Sequence, residues 1–320
     1  MAAAESYIRM DGDDKSGEIR HEIDLVIDHK VSEFGKDFRD EHRQAISGRL
    51  KAMENRTYLW LHLTLSIIDE KRSAYRKSSS VQTLISRLPS SVFDAYEKIL
   101  SRSQDEKQAR HLLNIILAAT RPSKLEEVNW ALTLQAKEFT NRTELEDDLW
   151  PRESLKVTVK NLCGLFVSVS GEGISFLHQT AREFLTTTSG PSNTWKGSFD
   201  MSSAHGTNFI SCIRLLPLND VDTVLDDAFD DRVAGPRFMK YAAHNWVLHY
   251  NSQESGKRDK FCEAARELCR TELGYAATWA AYSLRHEVHV GHLSDCTDLT
   301  LASYLGLLEV VELYARDREY

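Results

Sequence analysis

Apolar residues recur at three- and four-residue steps along most of the chain, which predicts helices. From Glu18 to Phe34, the residues Ile19, Ile23, Val26, Ile27, Val31 and Phe34 fall on one face. A weaker helix carries Ile46, Leu50 and Met53. Tyr58 to Ile68 is apolar nearly all round, the pattern of a buried helix. Lys71 to Ser80 is polar and reads as a loop. Pro89 is placed to open the next helix, whose stripe is Val92, Phe93, Tyr96, Ile99 and Leu100. Leu112, Leu113, Ile116 and Leu117 mark another, broken at Thr120-Arg121-Pro122. Ser123 and Glu126 then read as a capping box for a helix that buries Leu125, Val128, Ala131 and Leu132. Residues 138–150 read as an acidic loop, and 153–163 as a third helix ended by Gly164.

The period then changes. LFVSVS and ISFLH alternate on either side of Gly171-Glu172-Gly173, which predicts a β-hairpin. Three helices followed by a hairpin is the order of a winged helix. Thr187 to Gly197 reads as a loop. Further helices are expected at Phe209–Leu216, at FMKYAAHNWVLHY, at 258–270, at 273–285 and at Leu299–Ala315. An acidic stretch, Asp220 to Asp231, lies among them. The expected fold class is mostly α, with helical segments around one winged-helix module and a helix pair at the C-terminus.

Composition changes little in this picture. The 320 residues carry a net charge of -8, which gives no general attraction to nucleic acid or anionic membranes. The five cysteines, Cys163, Cys212, Cys262, Cys269 and Cys296, are odd in number and form no CxxC pair, so neither a disulfide framework nor a zinc site is indicated. Cys262 and Cys269 could share a helix face, where two small buried apolar residues are the plainer account. The first residues show no basic, apolar leader. No apolar run approaches the roughly 20 residues of a spanning helix. A cytoplasmic chain in a reducing compartment is expected, without a membrane partner. The sequons at Asn55 and Asn141 are then chance matches.

Three runs carry a resemblance: LISRLPSSVFDAYEKILSRS, HLLNIILAATRPSKLEEVNWAL and LCGLFVSVSGEGISFLHQTAREFL. Together they resemble fungal STAND-class signalling NTPases with a NACHT domain, and the winged helix of nephrocystin-like and GPI-inositol-deacylase-type families. EIRHEIDLVIDHKV and NRTYLWLHLTLSIIDE look like the end of the NACHT module, YAAHNWVLHY like the helical spacer behind the winged helix, and LTLASYLGLLEVVELYA like a first ankyrin repeat. The implied division is 1–86 for the end of the NACHT-type core, 87–102 for a linking helix, 103–190 for the winged helix, 191–290 for the spacer and 291–320 for a partial ankyrin-like repeat. Two departures stand out. No G-x-x-x-x-G-K-[ST] run is present to cradle phosphates, nor an apolar strand ending in paired acids to hold magnesium. The ankyrin T-P-L-H is Thr297-Asp298-Leu299-Thr300 here. The chain is therefore expected to begin at the end of an NTPase core and to be no enzyme. ADP or ATP would be relevant only if a NACHT core were supplied.

The resemblance places His178 where a winged-helix histidine reaches the ADP phosphate and holds the closed state. An imidazole N–H can donate to a phosphate oxygen, and losing that bond favours the open state. A histidine that caps a helix or fills a core gap would look the same in sequence. Other constellations are weaker. His178, Glu183 and a serine lack the G-x-S-x-G context of a hydrolase. Asp147-Asp148 and Asp226-Asp227 read as solvated turns, and His244 and His249, five apart, do not share a helix face for metal binding. Arg152, Lys156 and Lys160 form a basic stripe on the third helix, but Glu144, Glu146, Asp147, Asp148 and Glu153 beside it argue against DNA. The expectation is a non-catalytic regulatory and protein-interaction region whose winged helix clamps a nucleotide state. Its partners would be proteins, a NACHT-bearing chain among them. The alternatives are a stand-alone helical protein-binding scaffold and, behind it, a winged-helix DNA-binding protein.

Overall fold

The computed structural model describes residues 16–34, 38–54, 56–69, 78–188, 194–218, 235–272, 275–283 and 296–317. The chain forms two compact units, Met1–Ile99 and Leu100–Tyr320.

The first unit is helical: α1 (Ser16–Glu33), α2 (Asp40–Lys51), α3 (Tyr58–Asp69), α4 (Ser78–Ser86) and most of α5 (Val92–Leu100). The α1 stripe packs as its spacing requires, with Ile23, Ile27, Val31 and Phe34 buried against Ile46 and Leu50 of α2 and Trp60 and Ile68 of α3. Ile19 differs and is 41% exposed. It lies nearly a turn before Glu22, whose carboxylate takes the Tyr58 hydroxyl at 2.7 Å and ties α3 to α1. The stretch expected as a loop over Lys71–Ser80 ends differently, because Ser78–Ser80 belong to α4. Val81 and Leu84 are buried and Ile85 packs beside them, the i, i+3, i+4 step of a helix, behind a first turn of serines that reads as loop. Residues 70–77 lie outside the described residues. Pro89 does not open α5. Ser91 caps it by accepting the Asp94 N–H at 3.1 Å, and Asp94 returns to the Ser90 N–H at 2.8 Å. The proline carbonyl serves the core instead, accepting the Trp60 indole N–H at 2.9 Å.

The second unit opens with α6 (Glu106–Leu117), capped by Asp105, then β1 (Ser123–Lys124), α7 (Leu125–Ala136), α8 (Arg142–Asp147) and α9 (Arg152–Cys163). The hairpin follows as β2 (Val167–Ser170) and β3 (Gly173–Phe176), and then α10 (Gln179–Thr186). The sheet order is β1-β3-β2, antiparallel throughout, with Ser170 opposite Gly173 across a two-residue turn. Gly171 in that turn has φ +59°, a conformation other residues rarely adopt. Helices and hairpin thus make a winged helix, as the sequence predicts.

Three local readings need correction. Ser123 is a strand residue opposite Ile174, not a helix cap. The box moves one residue on: Glu127 accepts the Lys124 N–H at 2.9 Å and is clamped by both guanidinium nitrogens of Arg121, at 2.9 and 2.6 Å. Lysine has no acceptor to complete the reciprocal half. Glu126 faces Arg152 instead, at 3.5 Å. Residues 138–150 are not all loop, since Asn141 accepts the Glu144 N–H at 2.9 Å and starts α8. An asparagine cap outweighs the acidic composition here.

Gly164 closes α9 with φ 54° and ψ -134°. This region is almost closed to residues with a Cβ. Gly164→Ala is expected to cost about 1–3 kcal/mol in chemical denaturation, with little change at a solvent-exposed control such as Ser154→Ala.

Beyond the wing come α11 (Met201–Leu215), α12 (Gly235–Asn251), α13 (Ser255–Arg258), α14 (Cys262–Leu268), α15 (Tyr275–Ser283), α16 (Asp298–Tyr304) and α17 (Leu308–Asp317). α11 is the central helix of this unit, packed on α6, α7 and α12. The last two helices form a pair joined at Gly306, φ +68°, with the Leu307 N–H returning to the Ala302 carbonyl at 3.0 Å. Among the described residues no helix is long and apolar enough to cross a membrane.

Candidate functional site

The wing–helix junction is built on three phenylalanines. Phe166, fully buried in the 3-10 turn after α9, meets Phe176 of β3 edge-on at 5.8 Å and Phe184 of α10 at 5.9 Å. The Leu177 N–H also donates to the Phe166 carbonyl at 3.1 Å. The exit of β3 and the start of α10 are thereby fixed, and His178 sits between them in an extended conformation, φ -152° and ψ 157°.

His178 is the N-cap of α10. Its Nδ1 accepts the Thr180 N–H at 3.2 Å and lies 3.0 Å from the Thr180 hydroxyl. An Nδ1 used as an acceptor leaves the ring proton of the neutral imidazole on Nε2. The side chain is exposed, so the cap leaves an N–H donor on the outer edge of the ring. Capping and donating to an external anion are thus compatible in one tautomer.

The other sequence candidates are scattered. Glu183 accepts from Gln179 at 2.9 Å, one turn away on α10. Asp147 ends α8, whereas Asp148 faces Lys137 at 3.6 Å. Asp226-Asp227 lies outside the described residues. On α9, Arg152 is held by Glu126 at 3.5 Å and Lys156 by Glu153 at 2.7 Å, while Lys160 stays exposed. Cys262 and Cys269 are buried, and burial pushes the Cys269 thiol up to about 12. His244 donates to the Lys240 carbonyl at 2.7 Å.

His249 instead meets a residue the sequence reading passed over. Its Nδ1 is 2.9 Å from Nδ1 of His205 on α11, and its Nε2 is 3.0 Å from the Tyr241 hydroxyl. Two neutral rings satisfy this chain if Tyr241 donates to His249 and His249 donates to His205. Burial holds both histidines below their ordinary pKa, His249 down to about 3. The Tyr241–His249 spacing on one helix is visible in sequence, but nothing local points to His205, 44 residues earlier.

Residues 96–194 match the family described as GPI inositol-deacylase, winged helix domain. They form a winged-helix domain of that type. The match takes in the hairpin and His178. The vegetative incompatibility protein HET-E-1 of Podospora anserina is 26% identical over 171 residues, 51% of this chain and 11% of that protein. The chain thus spans about a tenth of the length of this curated relative. No solved structure matches.

Proposed function

We propose that the chain is a non-catalytic, cytoplasmic regulatory region of a STAND/NACHT-type signalling protein, in which the winged helix clamps the nucleotide-bound state. The observation that carries this reading is His178. Within a winged helix of the GPI inositol-deacylase type, it offers an exposed N–H from a rigid junction. The likeness to an incompatibility protein agrees with a signalling role. The 320 residues hold no phosphate-cradling glycine loop, so ADP would have to be held by a NACHT core supplied from outside them. The C-terminal helix pair, read as ankyrin-like, would meet a protein partner; Tyr304 and Leu308 are 60% and 61% exposed there. The carboxylates on Arg152 and Lys156 argue against DNA as the partner.

The test separates cap from clamp. His178→Asn keeps a good N-cap and removes the imidazole, whereas His178→Ala removes both. The alanine variant is expected to lose about 0.5–2 kcal/mol of stability and the asparagine variant less. With a NACHT-bearing chain present, both should release ADP faster in a stopped-flow assay. The chain alone should hydrolyse no ATP and show no micromolar ADP binding by calorimetry. Micromolar binding by the isolated chain would overturn the premise of an external core. Unchanged ADP release by the asparagine variant would reduce His178 to a cap.

A further inference from the structure

Away from the wing, the second unit contains a cleft of about 600 Å³ between α6, α11 and the segment from α13 to Phe261. Its size suits a small organic ligand. The floor is apolar, with Ile210 and Phe261, and the α11 backbone is bare at Gly206. A Cβ there would stand 3.0 Å from the Gln253 side-chain oxygen, so the glycine lets that side chain close over the helix.

The rim is cationic. Lys257 is committed to Asp200 at 2.8 Å and Glu254 at 3.5 Å. Lys107 and Lys260 are exposed and form no ion pair among the described residues. The Lys260 ammonium lies 4.6 Å from the Phe261 ring centroid. Glu106, the one carboxylate lining the cleft among the described residues, is tied to Arg110 at 3.0 Å.

We propose that this cleft binds a phosphomonoester on an aromatic or apolar body. The phosphate lies between Lys107 and Lys260, and the body covers Ile210 and Phe261. Two uncommitted ammonium groups match a dianion better than a carboxylate, and lysine meets phosphate as a point charge. The phosphate could be that of a free metabolite or of a phosphorylated side chain on a partner protein.

The probes are phenyl phosphate, inorganic phosphate and a short phosphotyrosine peptide, titrated into the full chain by calorimetry. Phenyl phosphate is expected to saturate with Kd below about 1 mM, and inorganic phosphate at least about tenfold more weakly. Lys107→Gln with Lys260→Gln should weaken the ester by about tenfold or more and leave the thermal midpoint unchanged, since both side chains are exposed. Tighter binding of the peptide assigns the phosphate to a partner protein; tighter binding of the ester assigns it to a metabolite. Absence of saturable binding by every probe, or full affinity in the double lysine variant, would overturn the proposal. Neither result bears on His178, which lies in another part of the unit.

Discussion

Trp195→Ala is expected to lower the stability of the second unit by about 3–5 kcal/mol. The residue sits in a stretch of threonine, serine, glycine and proline, yet it is only 2% exposed. It stacks on Phe199 at 6.3 Å with a 16° angle between rings, and the Arg110 guanidinium covers its face at 4.6 Å. Arg110 is held there by the Thr194 carbonyl at 2.7 Å, the Ser198 hydroxyl at 3.1 Å and Glu106 at 3.0 Å. Removing the indole leaves a large cavity and strips the guanidinium of its nearer cation–π partner, leaving Phe199 at 5.4 Å. Because Arg110 comes from α6, the loss loosens the segment leading to α11 as well as the loop. Urea denaturation followed by far-ultraviolet circular dichroism measures the effect. Phe199→Leu, which keeps an apolar group in place, should cost clearly less. A loss below about 1 kcal/mol for Trp195→Ala would mean that the site is open to water in solution.

That tryptophan marks the limit of reading this chain from its letters. The hairpin was legible because alternation around Gly171 has a period that only a strand produces, and Gly164 announced the end of α9. The long helices were legible for the same reason at a period of 3.6. What escaped first was β1, two residues too short to have a period, which exists because β3 offers an edge to pair with. α4 escaped although Val81, Leu84 and Ile85 carry the helical step, because its first turn is all serine. Burial of Trp195 and the meeting of His205 with His249 depend on residues tens of positions apart. No local pattern encodes either. At the candidate site the position of His178 was readable, but not that one tautomer lets it cap α10 and donate outward. The rim of Lys107 and Lys260 belongs to the same class as the histidine pair, since α6 and the α13 segment are neighbours in space alone.

The histidine pair, with His111 held low by burial in the same unit, should make the second unit acid-sensitive at a pH above the carboxylate range. His249 is fully buried, and burial followed by the His205 ring holds its pKa at about 3. Burial, then Arg182, lowers His205 as well. Each folded value lies below that of the unfolded chain, near 6.5. The unfolded state therefore takes up the proton first. Stability is full above about pH 6.5 and falls as the pH drops toward the folded values. His249 alone contributes about 2 kcal/mol of loss by pH 5 and on the order of 4 kcal/mol by pH 3. A second proton cannot be shared, because two imidazolium rings whose Nδ1 atoms are 2.9 Å apart would place donor against donor. Carboxylates such as Asp200, held below their ordinary value, add their own loss only at lower pH. Denaturation midpoints at pH 7.5, 6.5, 5.5 and 5 isolate the histidine contribution. His249→Gln should be less stable at pH 7.5, because His205 and Tyr241 lose the ring between them, but its midpoint should fall less steeply with acid. Parallel pH profiles for the wild-type chain and His249→Gln would show that the pair is already open to solvent and that the acid response arises elsewhere.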